Sequence, residues 1–108
     1  MQDIADACRR IAGYVSDVEF ERFAGDAMLF DAIVRNLQNI GEAVRMLPEE
    51  VRSLAPETDW SRIVGLRNIL VHHYFGVDEE IVWDLATVHA PALETTVSEI
   101  LDRLSEND

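Results

Sequence analysis

The sequence predicts an all-α chain, an up-and-down bundle of four main helices plus a short connecting helix. Three observations carry that prediction. Apolar residues recur at steps of three and four through most of the 108 residues, the spacing that lays one stripe along a helix. No stretch shows the alternation of a strand, and no repeat or low-complexity segment interrupts the pattern. The connections between stripes are short, which favours antiparallel neighbours.

The first helix is expected from Asp3 to Phe23, with Ile4, Cys8, Ile11, Val15 and Val18 as its buried stripe. Gly25 breaks the pattern, and Asp26 can cap the next helix, which should run to Leu47 on Leu29, Ile33, Leu37, Ile40, Val44 and Leu47. Gly41 sits inside it, at a cost of about 1 kcal/mol relative to alanine, which suggests close approach by another helix. Pro48 stops this helix, and Pro48 to Ala55 should form one short turn before Pro56. Thr58 or Asp59 then caps a central helix expected from Trp60 to about His73. Asp78 opens the last helix, with Glu79 and Glu80 in its first turn where negative charge suits the helix dipole. Val82, Leu85, His89, Leu93, Val97, Ile100 and Leu104 carry it to the end, and Pro91 should kink it. His89, inside that stripe, reads as a hydrogen-bonded core histidine.

Length and composition narrow the function. The whole chain, 1–108, fits one helical domain able to build a core without staples. A single cysteine excludes an internal disulfide framework, and Cys8 reads as a small core hydrophobe. With no leader and no long apolar span, a soluble, cytoplasmic protein is expected. The net charge is −12, and all nine basic residues are arginines. Such a surface repels nucleic acid at long range, so any work on RNA must rest on a local pocket.

The stretch that stands apart is Trp60 to Gly76, WSRIVGLRNILVHHYFG. Ile63, Leu66 and Leu70 form one stripe, and Trp60, Val64, Ile69 and Val71 spread apolar surface over most of the rest; a helix apolar nearly all round is a buried one. Arg67 falls inside the stripe, within about 40° of Ile63 on a helical wheel, where it needs a partner such as Asp31 or Glu42 from the second helix. Ser61, Gly65, Asn68 and His72 form a narrow polar strip, so His72 points away from Arg67 on a regular helix. The two can meet if the helix loosens near its end, if the arginine reaches round, or if a second copy supplies one of them. Loosening is the favoured expectation, because Gly76 and Asp78 follow. Metal and nucleophile chemistry find no support: His72, His73 and His89 lack ligand spacing, Ser61 is three turns from His72, and Cys8 has no activating base.

Arg67-x4-His72-x-Tyr74, with Asn68 directly after the arginine, resembles the R-x4-H-x-Y signature of HepT-like toxins in the HEPN superfamily. The flanks IGEAVRMLPEEVR and FGVDEEIVWDL resemble the family as well, and the likeness covers essentially the whole chain. The resemblance implies a metal-independent endoribonuclease, the toxin of a toxin–antitoxin pair, with no cofactor and no metal. Arg67 and His72 would be catalytic, and the histidine, able to exchange protons near neutral pH, would act beside a permanently charged guanidinium. Asn68 and His73 would support the substrate, His73 as a pocket wall. Tyr74 would accept adenylyl groups from an MntA-like nucleotidyltransferase antitoxin, cancelling the arginine's charge in the cleft. A homodimer is implied too, and one histidine per chain gives a physical reason for two chains to share a cleft. The acidic surface keeps a second class open: a non-catalytic helical dimer that binds nucleotide or docks a nucleotidyltransferase.

Overall fold

The computed structural model describes residues 1–72 and 79–106, and the side chains at 67–69, 71 and 72 lie outside that description. Helices α1 (Gln2–Val15), α2 (Phe20–Ala24), α3 (Ala27–Arg45), α4 (Glu49–Arg52), α5 (Trp60–His72), α6 (Glu79–Asp84) and α7 (Ala90–Glu106) follow in order, with a π-helical turn at Leu85–His89. Four are long, α1, α3, α5 and α7, and no strand forms among the described residues. The all-α bundle with its short connecting helix, α4, is therefore present.

The long helices lie in a row. α1 packs between α3 and α7, and α5 packs along the other side of α3. Ile4, Cys8 and Ile11 of α1 meet Ile33, Leu37, Ile40 and Val44 of α3 and Val97 and Ile100 of α7 in one core. Each large side chain buried there contributes roughly 1.5–3 kcal/mol, so the stripe on α1 fixes the row. The α5 helix is left at its edge.

Three expectations change. The first helix ends at Val15, not Phe23. Asp17 adopts φ 58°, a left-handed conformation that aspartate tolerates better than most residues, and the chain turns before α2. Val18 still packs on the core, since its amide bonds to the Val15 carbonyl at 3.1 Å; that keeps the three-residue apolar spacing while ending the helix. The cap at Asp26 is as expected: its carboxylate accepts from the Leu29 amide at 3.0 Å.

The second change concerns Pro91. The C-terminal run is helical without a break from Glu79 to Glu106, but a π-helical turn at Leu85–His89 stands just ahead of the proline. The π turn absorbs the proline instead, with the Ala90 amide donating to the Leu85 carbonyl five residues back. A proline ring clashes with the carbonyl four residues before it, so adding one residue to the preceding turn relieves that crowding.

His89 is the third. It is exposed, not in the core, and its Nε2 lies 3.2 Å from Asp84 Oδ2. The extra residue shifts the buried stripe to Val82, Ala86 and Ala90 before it rejoins Leu93, Val97 and Ile100. The same i-to-i+5 register draws Asp84 and His89 together. The start of the last helix at Asp78 lies outside the described residues; Glu79 and Glu80 open α6.

Candidate functional site at the end of the edge helix

Asp59 starts α5. Its carboxylate accepts from the Arg62 amide at 3.1 Å and from the Ser61 hydroxyl at 3.0 Å, filling the donors that a helix start leaves open. Ser61 is thus engaged in capping. Trp60 then anchors the helix. Its indole Nε1 donates to the carbonyls of Arg52 and Ala55, each at 3.1 Å, and the ring is only 7% exposed. Arg52 in turn reaches back to the Val44 carbonyl at 2.8 Å. These bonds tie the start of α5 to the end of α3, and because the two helices pack along each other they run antiparallel.

Arg67, Asn68 and His72 all lie on α5, whose backbone is α-helical through His72. The expected loosening between Arg67 and His72 does not occur. Five positions along an α-helix separate their Cα atoms by about 140° around the axis and about 7.5 Å along it. Convergence of the two groups therefore rests on the reach of arginine or on a second copy. His73 and Tyr74, expected as pocket wall and modification site, lie outside the described residues. The expected pairing of Arg67 with Asp31 or Glu42 lies outside the described residues, since the Arg67 side chain does; Glu42 Oε1 also accepts from Arg45 Nη2 at 2.6 Å.

Burial on α5 is uneven. Trp60 and Leu70 are buried, but Ile63, Val64, Gly65 and Leu66 are only half-buried, and a Cβ added at Gly65 would meet no atom within 4 Å. Among the described side chains, then, the expectation of a helix buried nearly all round holds for Trp60 and Leu70 and only partly for Ile63, Val64 and Leu66, where apolar surface is left over.

The remaining groups behave as structure. Burial among apolar neighbours, helped by the Glu94 carboxylate, pushes the Cys8 thiol up to about 12, so it is no nucleophile at neutral pH. Arg10 Nε donates to Asn36 Oδ1 at 2.9 Å, and Asn36 Nδ2 to the Ala32 carbonyl at 2.9 Å, a polar tie between α1 and α3 that apolar periodicity does not reveal. Among the described residues no cluster of histidine, cysteine and carboxylate could hold a metal, and no helix is long and apolar enough to cross a membrane. A cleft of about 640 Å³, lined by Met1, Arg10, Glu42, Met46 and Val51 among others, opens at the end of α3 that faces Trp60, away from His72.

A family model described as ribonuclease HepT-like matches residues 4–100. The chain belongs to that family. A protein of Caldanaerobacter subterraneus subsp. tengcongensis named "Putative RNase TTE0752" is 39% identical over 103 residues, 95% of this chain and 92% of its own length. One from Methanocaldococcus jannaschii named "Putative RNase MJ0127" is 33% identical over 108 residues, covering 100% of this chain and 89% of the relative. "Probable ribonuclease HepT" of Thermococcus cleftensis is 34% identical over 94 residues, with 87% and 86% covered. No solved structure matches the chain significantly.

Proposed function

We propose that this HepT-like chain is a metal-independent endoribonuclease, the toxin of a toxin–antitoxin pair, and that it works as a homodimer. The observation that carries the reading is the position of the motif. Arg67 and His72 lie on α5, a long helix at one edge of the row, next to apolar surface that the described residues of its own chain leave half open. A second copy covering that surface would bring two motif helices together, supplying two histidines and two arginines to one cleft.

The chemistry follows from those groups. One His72 accepts the proton of a ribose 2′-hydroxyl as its oxygen attacks the adjacent phosphorus. The bond from phosphorus to the 5′-oxygen breaks, and the second His72, protonated, gives a proton to that leaving oxygen. A 2′,3′-cyclic phosphate and a free 5′-hydroxyl result. Arg67 offsets the charge that builds on the phosphorane oxygens, where a planar guanidinium fits best. Asn68 orients the phosphate, and His73 lines the pocket. Adenylylation at Tyr74, with its hydroxyl attacking the α-phosphorus of ATP and pyrophosphate leaving, would put negative charge beside Arg67 and block the cleft.

Purified protein incubated with single-stranded RNA, with and without chelator, tests the core of this. Cleavage that persists with chelator and is lost in a folded His72→Ala is the expected result, while equal cleavage by the variant would assign the activity to a contaminant. Sedimentation should show a dimer at micromolar concentration. Co-expression with a nucleotidyltransferase should add adenylyl mass to wild type and none to Tyr74→Phe. The acidic surface favours the second reading, a non-catalytic dimer docking nucleotide or transferase, and a dimer that takes adenylyl groups but never cuts RNA would establish it.

A further inference from the structure

The end of the bundle that carries His72 also carries an aromatic cluster. Phe20 and Phe23 of α2, Phe30 of α3 and Trp83 of α6 pack in tilted and edge-on contacts: Trp83 lies 5.1 Å from Phe23 and 6.1 Å from Phe20 between centroids, and Phe30 lies 5.8 Å from Phe23. Phe23 is fully buried, while Phe20, Phe30 and Trp83 are half-buried. Because α5 runs antiparallel to α3 from the level of Val44, at about 1.5 Å per residue it brings His72 down to about the level of Ala32, within a turn of Phe30. The α6 helix packs on α3 and α2 there.

Trp83 is unlike Trp60 in one respect. Its indole N–H makes no hydrogen bond to any described residue, and an indole donor is normally paired when buried. A partly buried ring that packs against two phenylalanines, with no acceptor for its N–H among the described residues, can serve as a stacking platform. The chain's net charge of −12 makes such a platform matter. A protein that cannot hold RNA by a basic face has to hold it by contacts indifferent to charge, and base stacking is the strongest of these. Arg22, exposed on α2 and without a partner among the described residues, supplies a local cation on the same short helix.

We infer that Trp83 is a substrate-positioning residue, stacking a nucleobase of single-stranded RNA next to the phosphate that is cut. This rests on the ribonuclease reading for its substrate, not on Trp83 taking part in the chemistry. After the cut site in an oligoribonucleotide is mapped, KM and kcat are measured for wild type, Trp83→Phe and Trp83→Leu, with thermal unfolding as a check on the fold. Trp83→Leu should raise KM about tenfold with little change in kcat, and Trp83→Phe should restore most of the loss. A purely structural ring would show no such aromatic rescue. On the substrate side, an abasic nucleotide at one position beside the cut should raise the wild-type KM by a similar factor and add little in Trp83→Leu.

An unchanged KM in folded Trp83→Leu, or abasic and protein effects that simply multiply, overturns the assignment and leaves the ribonuclease reading standing. If Trp83→Leu does not fold, the abasic series on wild type and Trp83→Phe decides: no position whose base loss raises KM means no stacking. If wild type does not cut RNA at all, binding of an oligonucleotide is read from tryptophan fluorescence. Quenching in wild type that disappears in Trp83→Phe upholds the platform without the nuclease, and no difference between the two removes both.

Discussion

The two tryptophans occupy opposite ends of the bundle and solve the same problem differently. Trp60 gives both its ring and its donor to the fold: it is nearly enclosed, and its N–H is shared by the carbonyls of Arg52 and Ala55, each of which also accepts a backbone amide. Trp83 packs against Phe20 and Phe23 but stays only partly buried, and its N–H meets no acceptor among the described residues. The end built on Trp60 is closed by side chain to backbone bonds from Arg52, Trp60 and Arg103, the last reaching the Leu54 carbonyl at 2.7 Å. At the Trp83 end, among the described residues, the helices meet through aromatic packing, and the side chain to backbone bonds there, the Asp26 carboxylate with the Leu29 amide and the Thr87 hydroxyl with the Trp83 carbonyl, are local ones. A bundle can therefore be pinned at one end and kept receptive at the other, with the motif helix running from the pinned end to the receptive one.

The largest effect should come from removing the pin. Trp60→Ala deletes a buried aromatic together with its two hydrogen bonds to backbone carbonyls, and large aromatic truncations cost about 3–5 kcal/mol. That is much of the stability of a domain of this size, so chemical denaturation should show a protein close to unfolded. Trp83→Leu, which keeps apolar volume at a half-buried site, should cost less than about 1.5 kcal/mol. Equal losses at the two positions would break the comparison.

Next comes the core between the two ends. Cys8 is enclosed, and its thiol is raised from 9.0 to about 12 by burial first and by the Glu94 carboxylate second. A raised folded value means that the unfolded chain releases this proton more readily. The stability it represents is fully present below pH 9 and is lost as pH rises towards 12. Unfolding free energy measured between those limits should fall more steeply in wild type than in Cys8→Ala. In the native protein at neutral pH, Cys8 should also resist thiol reagents that modify it rapidly in denaturant.

The two aspartate caps should cost less, about 1 kcal/mol each when changed to alanine. Asp59→Ala frays the Trp60 end of α5, and Asp26→Ala frays α3 where the aromatic cluster packs on it. Measured side by side with RNA cleavage, the pair sharpens the comparison. Asp59→Ala should lower stability with little change in KM, whereas Asp26→Ala should disturb both.

Much of this arrangement is legible in the sequence. The stripes on α3 and α5, the caps at Asp26 and Asp59, the stop at Pro48 and the family's motif all follow from local rules that hold within one or two turns. What is not legible depends on the backbone's choice among equally local options. Val15 and Val18 keep helical spacing across a break, because a turn closed by a bond three residues apart preserves the same face. The motif's resemblance implies that Arg67 and His72 act together, but five residues on a straight helix do not by themselves bring them together. Nor does a sequence show whether an indole N–H finds a partner, since those partners are carbonyls, which every residue carries.

The smallest expected effect tests the one place where the phase of a helix changes. Read as an α-helix, the run from Val82 to Leu93 buries His89. With the π turn, Ala86 and Ala90 are buried instead, and His89 is 59% exposed beside Asp84. An exposed pair of this kind contributes about 0–1 kcal/mol, so His89→Ala should shift stability by no more than about 0.5 kcal/mol. His89→Glu should also be tolerated by the fold. Ala90→Glu, one residue further, would place a charge where the chain leaves 4% exposure, and it should unfold the protein or force the helix apart. Thermal melts of the three variants at neutral pH read the register directly. A costly His89→Ala together with a mild Ala90→Glu would mean that the α-helical phase runs through Pro91, and the aromatic end would then lose the turn that sets α6 against α2.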